Sequence, residues 1–477
     1  MKAYNAKDIR NIAIAGHSGR GKTTLAEAML FLAKATDRLG RVADGNTVLD
    51  FDAEEKRRKV TIATAMAAFD WNNTKINLLD TPGLFDFAGG VSEGMRAAES
   101  ALIVLAAGSG VDVGAEKAYK AASERKIAKL FAVTRCDAEN TDFYKTFDAL
   151  KEEYGAPVCP VVVPYMEGDA VKGYVDFSTG KAYAYNGGKA SEIAMPDDRI
   201  EEMKEVFNEA VASADEELME KFFEGEALTT EEIAKGLKAG IIAGDIYPVY
   251  ACSGYTTDGV DLLLNGIVSA APDAASCAGE GDIKCDENGA LAAICFKTVA
   301  DPFVGKMSFF KVVSGKITSD TPAYNARTGE SERMGKIITL KGAKQEDSAC
   351  IPAGDIGVVT KLSGFKTGDT LCAPKADIEL AGVNFPKPCL PMAVKARKKG
   401  EEDKIAAGLN RLAEEDLTIS YTTNPETKEQ ILSGLGEQHL DSVVTKLKNK
   451  FGVEVDLSVP KVAYRETVSK TSYVQGR

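Results

Sequence analysis

The sequence predicts an α/β domain on a mostly parallel sheet, interrupted by an α+β insertion and followed by a β-barrel and a second, ferredoxin-like α+β domain. Short apolar runs at 9–15, 76–79, 101–106 and 129–133 alternate with segments of helical periodicity, as a sheet covered by helices on both faces requires. The stretch 197–243 is rich in Glu, Lys and Ala at helical spacing and reads as an insertion with a solvated charged face. Beyond Pro272 the composition changes: 290–298, 307–313 and 356–360 are β-rich and separated by Gly, Asp and Ser turns. From about Pro386, helical patterns at 404–414 and 440–448 lie between short strands.

A chain of 477 residues, 44% hydrophobic and 27% charged, is too long for one core and divides into domains. The expected division is 1–275, with the insertion at about 157–245, then 285–378 and 386–460. No apolar run is long enough to span a bilayer, and the N-terminus carries no small-residue cleavage site, so a cytoplasmic protein is expected. The nine cysteines form no CxxC pair, and the two histidines, His17 and His439, are too few for a histidine metal centre. A net charge of −13 tells against broad attraction to nucleic acid; any RNA contact is local.

The motif Gly16-His17-Ser18-Gly19-Arg20-Gly21-Lys22-Thr23 fits GxxxxGK[ST] and lies between a predicted strand, 9–15, and a predicted helix, 25–34. Glycines let backbone N–H groups converge on a β-phosphate, the helix N-terminus adds a favourable dipole, Lys22 bridges β and γ oxygens, and the Thr23 hydroxyl ligates Mg²⁺. Thr24 continues the phosphate-binding run. A glycine-rich turn that binds nothing is the alternative, and the flanking strand and helix tell against it. The α/β domain is therefore expected to be a phosphate-loop nucleotide-binding domain.

Asp80-Thr81-Pro82-Gly83 follows the run 76–79, so Asp80 stands at a strand's C-terminal end and is expected to hold Mg²⁺ through water. The Gly83 N–H can meet a γ-phosphate, whose loss would release the segment beyond it. Upstream, Lys59-Val60-Thr61-Ile62 offers the Thr61 hydroxyl as a metal ligand in the triphosphate state. Downstream of 129–133 comes Thr134-Arg135-Cys136-Asp137, where GTPases carry NKxD. A carboxylate there accepts from guanine N1–H and the 2-amino group together, a pair adenine lacks, so Asp137 favours GTP and GDP over adenine nucleotides. Thr134 has no amide to tie base to loop, and Arg135 can lie over the ring as lysine does. An aspartate after a strand can also be a simple cap. Cys252-Ser253-Gly254-Tyr255 stands where a loop would meet guanine O6, placing Ser253, Gly254 and Tyr255 at the base.

With these segments in order, the chain resembles the translational GTPases and, among them, elongation factor G. Asp301-Pro302-Phe303-Val304-Gly305-Lys306, Ser314-Gly315-Lys316, Ala353-Gly354-Asp355-Ile356 and Thr367-Gly368-Asp369-Thr370-Leu371 are similar to its second domain, and Gly436-Glu437-Gln438-His439-Leu440-Asp441 to its third. Val462-Ala463-Tyr464-Arg465-Glu466-Thr467 resembles the opening of its fourth, so 461–477 is expected to begin a fourth domain that is cut short. The resemblance implies a monomeric, ribosome-binding GTPase that uses GTP and Mg²⁺ and binds neither membrane nor DNA. Alternatives are a specialised ribosome-binding or ribosome-protection factor, or a GTP-gated binding protein that does not hydrolyse.

Three departures bear on function. Where the family carries a water-orienting histidine after DTPG, this chain has Leu84, so slow hydrolysis is expected unless Asp86 or a backbone group substitutes. Gly19 replaces an aspartate that helps hold a monovalent cation, leaving Arg20 either to supply charge or to face solvent. Lys59 replaces a glycine and alters the folding of its loop. His439 is expected to be packed or hydrogen-bonded, and Lys395, Arg397, Lys398 and Lys399 form either an RNA-phosphate contact or a solvated loop.

Overall fold

Apolar runs become buried strands. In the computed structural model, which describes residues 4–168, 170–196, 199–301, 304–374, 376 and 378–476, β1 (Ile9–Ala15) is buried at all seven positions. Asp197, at the head of the insertion stretch, and Pro302 and Phe303 of the barrel segment lie outside the described residues. After β1 come β2 (Ala65–Trp71), β3 (Thr74–Asp80), β4 (Ser100–Ala106), β5 (Ala128–Thr134), β6 (Val158–Glu167), β7 (Ala170–Asp176), β8 (Lys181–Asn186), β9 (Lys189–Ile193) and β10 (Tyr247–Ala251). The central sheet runs β2-β3-β1-β4-β5-β10-β6, parallel except for β2, which lies antiparallel to β3 at the edge. β7, β8 and β9 extend it as an antiparallel meander from β6.

Helices α1 (Lys22–Leu32), α2 (Ala53–Arg58), α3 (Ala88–Ala97), α4 (Val113–Glu124), α5 (Phe143–Tyr154), α6 (Arg199–Ala212), α7 (Glu216–Glu224), α8 (Thr230–Ala243) and α9 (Val260–Ala270) connect the strands. Their starts are legible as chemistry: Asp112 and Asp142 accept amides at the heads of α4 and α5, and Thr229 with Glu232 closes a capping box on α8. The insertion is thus β7–β9 and α6–α8, carried on β6 and β10. A short turn of helix, α10 (Ala274–Cys277), capped by Asp273, leads out of the domain.

The barrel-like domain comprises β11 (Ala292–Asp301), β12 (Gly305–Ser314), β13 (Lys316–Thr318), β14 (Ala323–Asn325), β15 (Glu330–Glu332), β16 (Ile337–Lys341), β17 (Lys344–Asp347), β18 (Cys350–Pro352), β19 (Ile356–Thr360) and β20 (Thr370–Cys372). Antiparallel ladders run β15-β14-β20-β11-β12-β19-β16-β17 around a core holding Phe310, Phe365, Ile351 and Leu371. The α/β domain and this barrel belong to one compact unit, Met1–Asn384, and edge strand β2 reaches across: Ala67 pairs with Lys341, and Gly342 N donates to Met66 O at 2.9 Å. Gly342 adopts φ 59° against Val48 O, where a Cβ has no room.

The second unit, Phe385–Arg477, has the order β21 (Leu390–Ala396), α11 (Glu402–Glu415), β22 (Ser420–Thr423), β23 (Gln430–Gly434), α12 (Glu437–Phe451), β24 (Val455–Ser458). Its antiparallel sheet, β22-β23-β21-β24, is ferredoxin-like, and both helices bury Leu409, Leu412, Leu440 and Leu447 against it. His439 is buried there, accepting Leu435 N at Nδ1 and donating from Nε2 to Asp416 at 2.9 Å. Arg397 is tied to Asp456 (2.8 Å) and Glu454 (3.1 Å), so its charge is met within its own sheet.

Candidate functional site

The phosphate loop leaves β1 at Ala15 and enters α1 at Lys22, nearly a full turn earlier than helical periodicity predicts. Lys22 and Thr23 therefore ride on the first turn, whose N–H groups have no intrahelical acceptor and open towards an anion. Gly16, at φ 130°, passes so close to Val104 O that a Cβ would lie at 2.5 Å. The loop curls around the tip of its own lysine: Lys22 Nζ donates back to Gly16 O (3.0 Å) and His17 O (2.9 Å) and is buried. Burial pulls its pKa down, while Asp80 opposes the shift.

Gly83, following β3, abuts both Lys22 Nζ and Ser18 N, so the two segments predicted to hold phosphate meet. Beyond it, Leu84 is half-buried, and Phe85 presents its face to Lys117 Nζ (3.7 Å) and meets the His17 ring edge-on at 5.6 Å. The Leu84 side chain contains no group that could orient a water.

The hydroxyls of Thr23 and Thr61 lie 3.0 Å apart, while Thr23 Oγ1 donates to Asp80 Oδ2 at 2.7 Å and Thr61 Oγ1 to Asp50 Oδ1 at 2.8 Å. Either hydroxyl can donate across the remaining contact, so the two threonines and two carboxylates form one hydrogen-bonded chain. Asp80 Oδ1 and Asp50 Oδ2 are buried with no hydrogen-bond partner among the described residues. Burial first, then the Asp50 charge, pushes the Asp80 pKa up to about 8, and burial raises Asp50 as well. An all-oxygen set of two hydroxyls and two orphaned carboxylate oxygens fits a hard divalent cation such as Mg²⁺. Asp50 was not legible as a site residue: nothing in its neighbourhood marks it, and its link to Thr61 spans 11 positions.

At the base end, Thr134 is buried and spends its hydroxyl on Arg20 O (2.8 Å) and Leu105 O (3.0 Å). The tie that an asparagine amide would make to the phosphate loop is thus made by a threonine hydroxyl. Arg135, at φ 61°, donates to Gly19 O at 2.5 Å. Arg20, partly exposed, pairs through Nε with Asp112 at 2.8 Å, at the cap of α4. Asp137 is exposed, and after burial its charge helps raise the pKa of Asp258, which places it beside the 252–258 loop. In that loop the Ser253 hydroxyl accepts from Tyr255 N (3.2 Å) and Thr256 N (3.0 Å), and Gly254 lies against Thr24 and Leu25 in the first turn of α1. The segments predicted to hold base, phosphate and metal converge on the strand ends of one sheet.

Comparison with known proteins gives the same order of parts. Residues 7–273 match the elongation factor Tu GTP binding domain, 290–374 match elongation factor G domain 2, and 385–459 match Elongation Factor G, domain III. Among solved structures, the chain is similar to the crystal structure of a Thermus thermophilus protein titled ttk003000868, at 32% identity and a TM-score of 0.89, over 97% of this chain and 69% of that one. No helix among the described residues is long and apolar enough to cross a membrane. Together these matches show that the chain belongs to the elongation factor G-like translational GTPases.

Proposed function

We propose that the chain is a GTP-driven conformational switch that engages the ribosome and hydrolyses GTP slowly. The observation that supports this most directly is the Thr23–Thr61–Asp80–Asp50 cluster, which joins the phosphate loop to the 34–63 segment through oxygen atoms alone. Thr23 and Thr61 would hold Mg²⁺, with Asp80 and Asp50 receiving its waters. When bound, the ion supplies positive charge on the β and γ phosphate oxygens.

The chain's own groups divide the rest of the work. Amides of 16–24 bind the β-phosphate, Lys22 reaches β and γ, and the Gly83 amide senses whether a γ-phosphate is present. Asp137 reads guanine, with the 253–255 loop against the base. Phosphoryl transfer depends on a positioned water, and the Leu84 side chain offers neither a proton acceptor nor a hydrogen bond. Intrinsic turnover on the order of 10⁻⁴ to 10⁻² per second is the consequence. A reading in which GTP gates binding without meaningful catalysis is favoured by the same Leu84. A cytoplasmic location follows from ribosome binding.

Single-turnover GTP hydrolysis, with and without ribosomes, tests this. Magnesium-dependent GTP binding with slow turnover is expected, and Leu84→His should raise the ribosome-stimulated rate. Fast ribosome-stimulated turnover by the unaltered chain would overturn the slow-hydrolysis element; no uptake of guanine nucleotide would overturn the whole.

A further inference from the structure

Arg41 belongs to none of the motifs above, yet it is held as firmly as any of them. It opens a tight turn in which Asp44 N donates to Arg41 O (3.2 Å) and Asn46 Oδ1 accepts Arg41 N (2.7 Å). From that anchored backbone the guanidinium lies over Tyr255, its Cζ 3.8 Å from the ring centroid. Tyr255 is 63% exposed and closes the 252–255 loop, whose Gly254 packs on Thr24 and Leu25. The stacked pair therefore borders the end of the phosphate loop nearest the base.

A cation–π contact uses the face of a guanidinium and leaves its in-plane N–H donors available. Arg41 Nη1 is buried and has no hydrogen-bond partner among the described residues. A buried, unpaired cationic donor is costly, and a ligand that supplies an acceptor removes the cost. With Lys22 assigned to the β and γ phosphates, a cation at the base end of the loop suits the α-phosphate, and a guanidinium suits a phosphate oxygen better than a neutral hydroxyl.

We propose that Arg41 is a nucleotide-binding residue, positioned by Tyr255 so that its guanidinium donates to the α-phosphate of bound GDP or GTP. This rests on 16–24 and 253–255 being the guanine-nucleotide site. Because the contact is made only in the complex, it acts mainly on the dissociation rate.

Release of a fluorescent GDP from the whole chain, followed by stopped flow, reads it. Arg41→Ala should speed release by roughly 10- to 100-fold, the range for a lost charge-assisted hydrogen bond. Tyr255→Ala, which removes the ring under the guanidinium, should speed it less. Arg41→Lys, which keeps the charge and stem, should recover part of the loss at low salt, and it serves where the alanine variant does not fold. Competition by guanosine, which has no phosphate, should be the same for Arg41→Ala as for the unaltered chain. Release from Arg41→Ala within twofold of the unaltered chain would overturn the proposal, as would an equal loss for GDP and guanosine. If the unaltered chain binds no GDP, the site itself fails; if it binds and Arg41→Ala matches it, only Arg41 is dismissed.

Discussion

Lys297, on barrel strand β11, donates to Glu93 Oε2 on α3 at 2.7 Å, and each side chain is only 9% exposed. Helix α3 follows the Asp80–Gly83 turn after one short turn at Phe85–Phe87, so this pair fixes the helix downstream of Gly83 to the neighbouring domain. Two further pairs reinforce the junction: Lys75–Asp355 at 2.7 Å and Lys311–Glu99 at 2.6 Å, all four side chains buried.

A buried pair loses most when one charge is left alone. Glu93→Gln, which strands Lys297 in the interior, should cost about 3–5 kcal/mol of unfolding free energy in urea. Glu93→Leu combined with Lys297→Met should cost far less, because neither charge is then uncompensated. Equal losses for the single and double variants would mean that packing, rather than the charge pair, holds α3 to the barrel.

Lys59 carries a backbone cost that the sequence only hints at. It ends α2 at φ 56°, ψ 40°, in the left-handed region where side chains are strained and glycine is free. Lys59→Gly should raise stability by about 0.5–1 kcal/mol, the strain relief being partly offset by added freedom in the unfolded chain. Urea midpoints at unchanged slope would read it, and Lys59→Ala, which keeps a Cβ, should give little. A drop in stability with glycine would show that the Lys59 side chain contributes more than its backbone strain removes.

Most of the scaffold was legible because its signals are local. The loop 16–23 shows its glycines, lysine and threonine within eight positions, between an apolar run and a helical one, and Asp80 is the last residue of a strand whose apolar run ends at Leu79. Asp50, Glu27 and Arg41 were not legible because their partners are distant in the chain: Glu27 Oε1 accepts Val48 N at 2.7 Å across 21 positions, and Arg41 meets Tyr255 across the whole insertion. The antiparallel edge strand Ala65–Trp71 was missed for a different reason: it pairs locally with β3 through the Asn72–Asn73 turn, but its Ala- and Met-rich run has no β-branched residue to mark a strand. Arg397 reads from sequence as part of either an RNA-phosphate contact or a solvated loop, while the acids that meet it stand nearly sixty positions away on β24 and just before it.

Asp50 gives a prediction about metal. Its Oδ2 is orphaned and its Oδ1 holds the Thr61 hydroxyl, so with Mg²⁺ held as proposed it would both orient the Thr61 oxygen and offer an acceptor to a metal-bound water. Asp50→Asn preserves shape and removes the charge. Magnesium affinity in the GTP complex, titrated by nucleotide fluorescence, should weaken about 10- to 100-fold, with GDP affinity in excess metal much less affected. An unchanged magnesium titration would remove Asp50 from the site.

Asp416 and His439 make the second unit sensitive to acid. Burial by itself would raise the Asp416 pKa, but His439 Nε2 (2.9 Å), Thr418 Oγ1 (2.5 Å) and Thr418 N (2.9 Å) all donate to it, and the net effect holds it well below the carboxylate range. A carboxylate depressed in the folded state contributes stability that is fully present above its unfolded pKa of about 4 and is lost as pH falls below that towards the folded value. Hydrogen exchange of α12 amides in the whole chain should therefore show protection that is level from pH 7 to about 5 and falls steeply below about 4. Asp416→Asn should flatten that fall and lower protection at pH 7 by about 1.5–3 kcal/mol, the net value of a hydrogen bond to a charged group. Because Leu435 N occupies Nδ1, the imidazole has only Nε2 left for Asp416; the asparagine variant keeps an acceptor but loses its charge. His439→Ala should produce a comparable loss at pH 7 while leaving the Thr418 donors on Asp416, so part of the acid transition survives. An acid transition of undiminished steepness in Asp416→Asn would assign the pH response of this unit to other carboxylates.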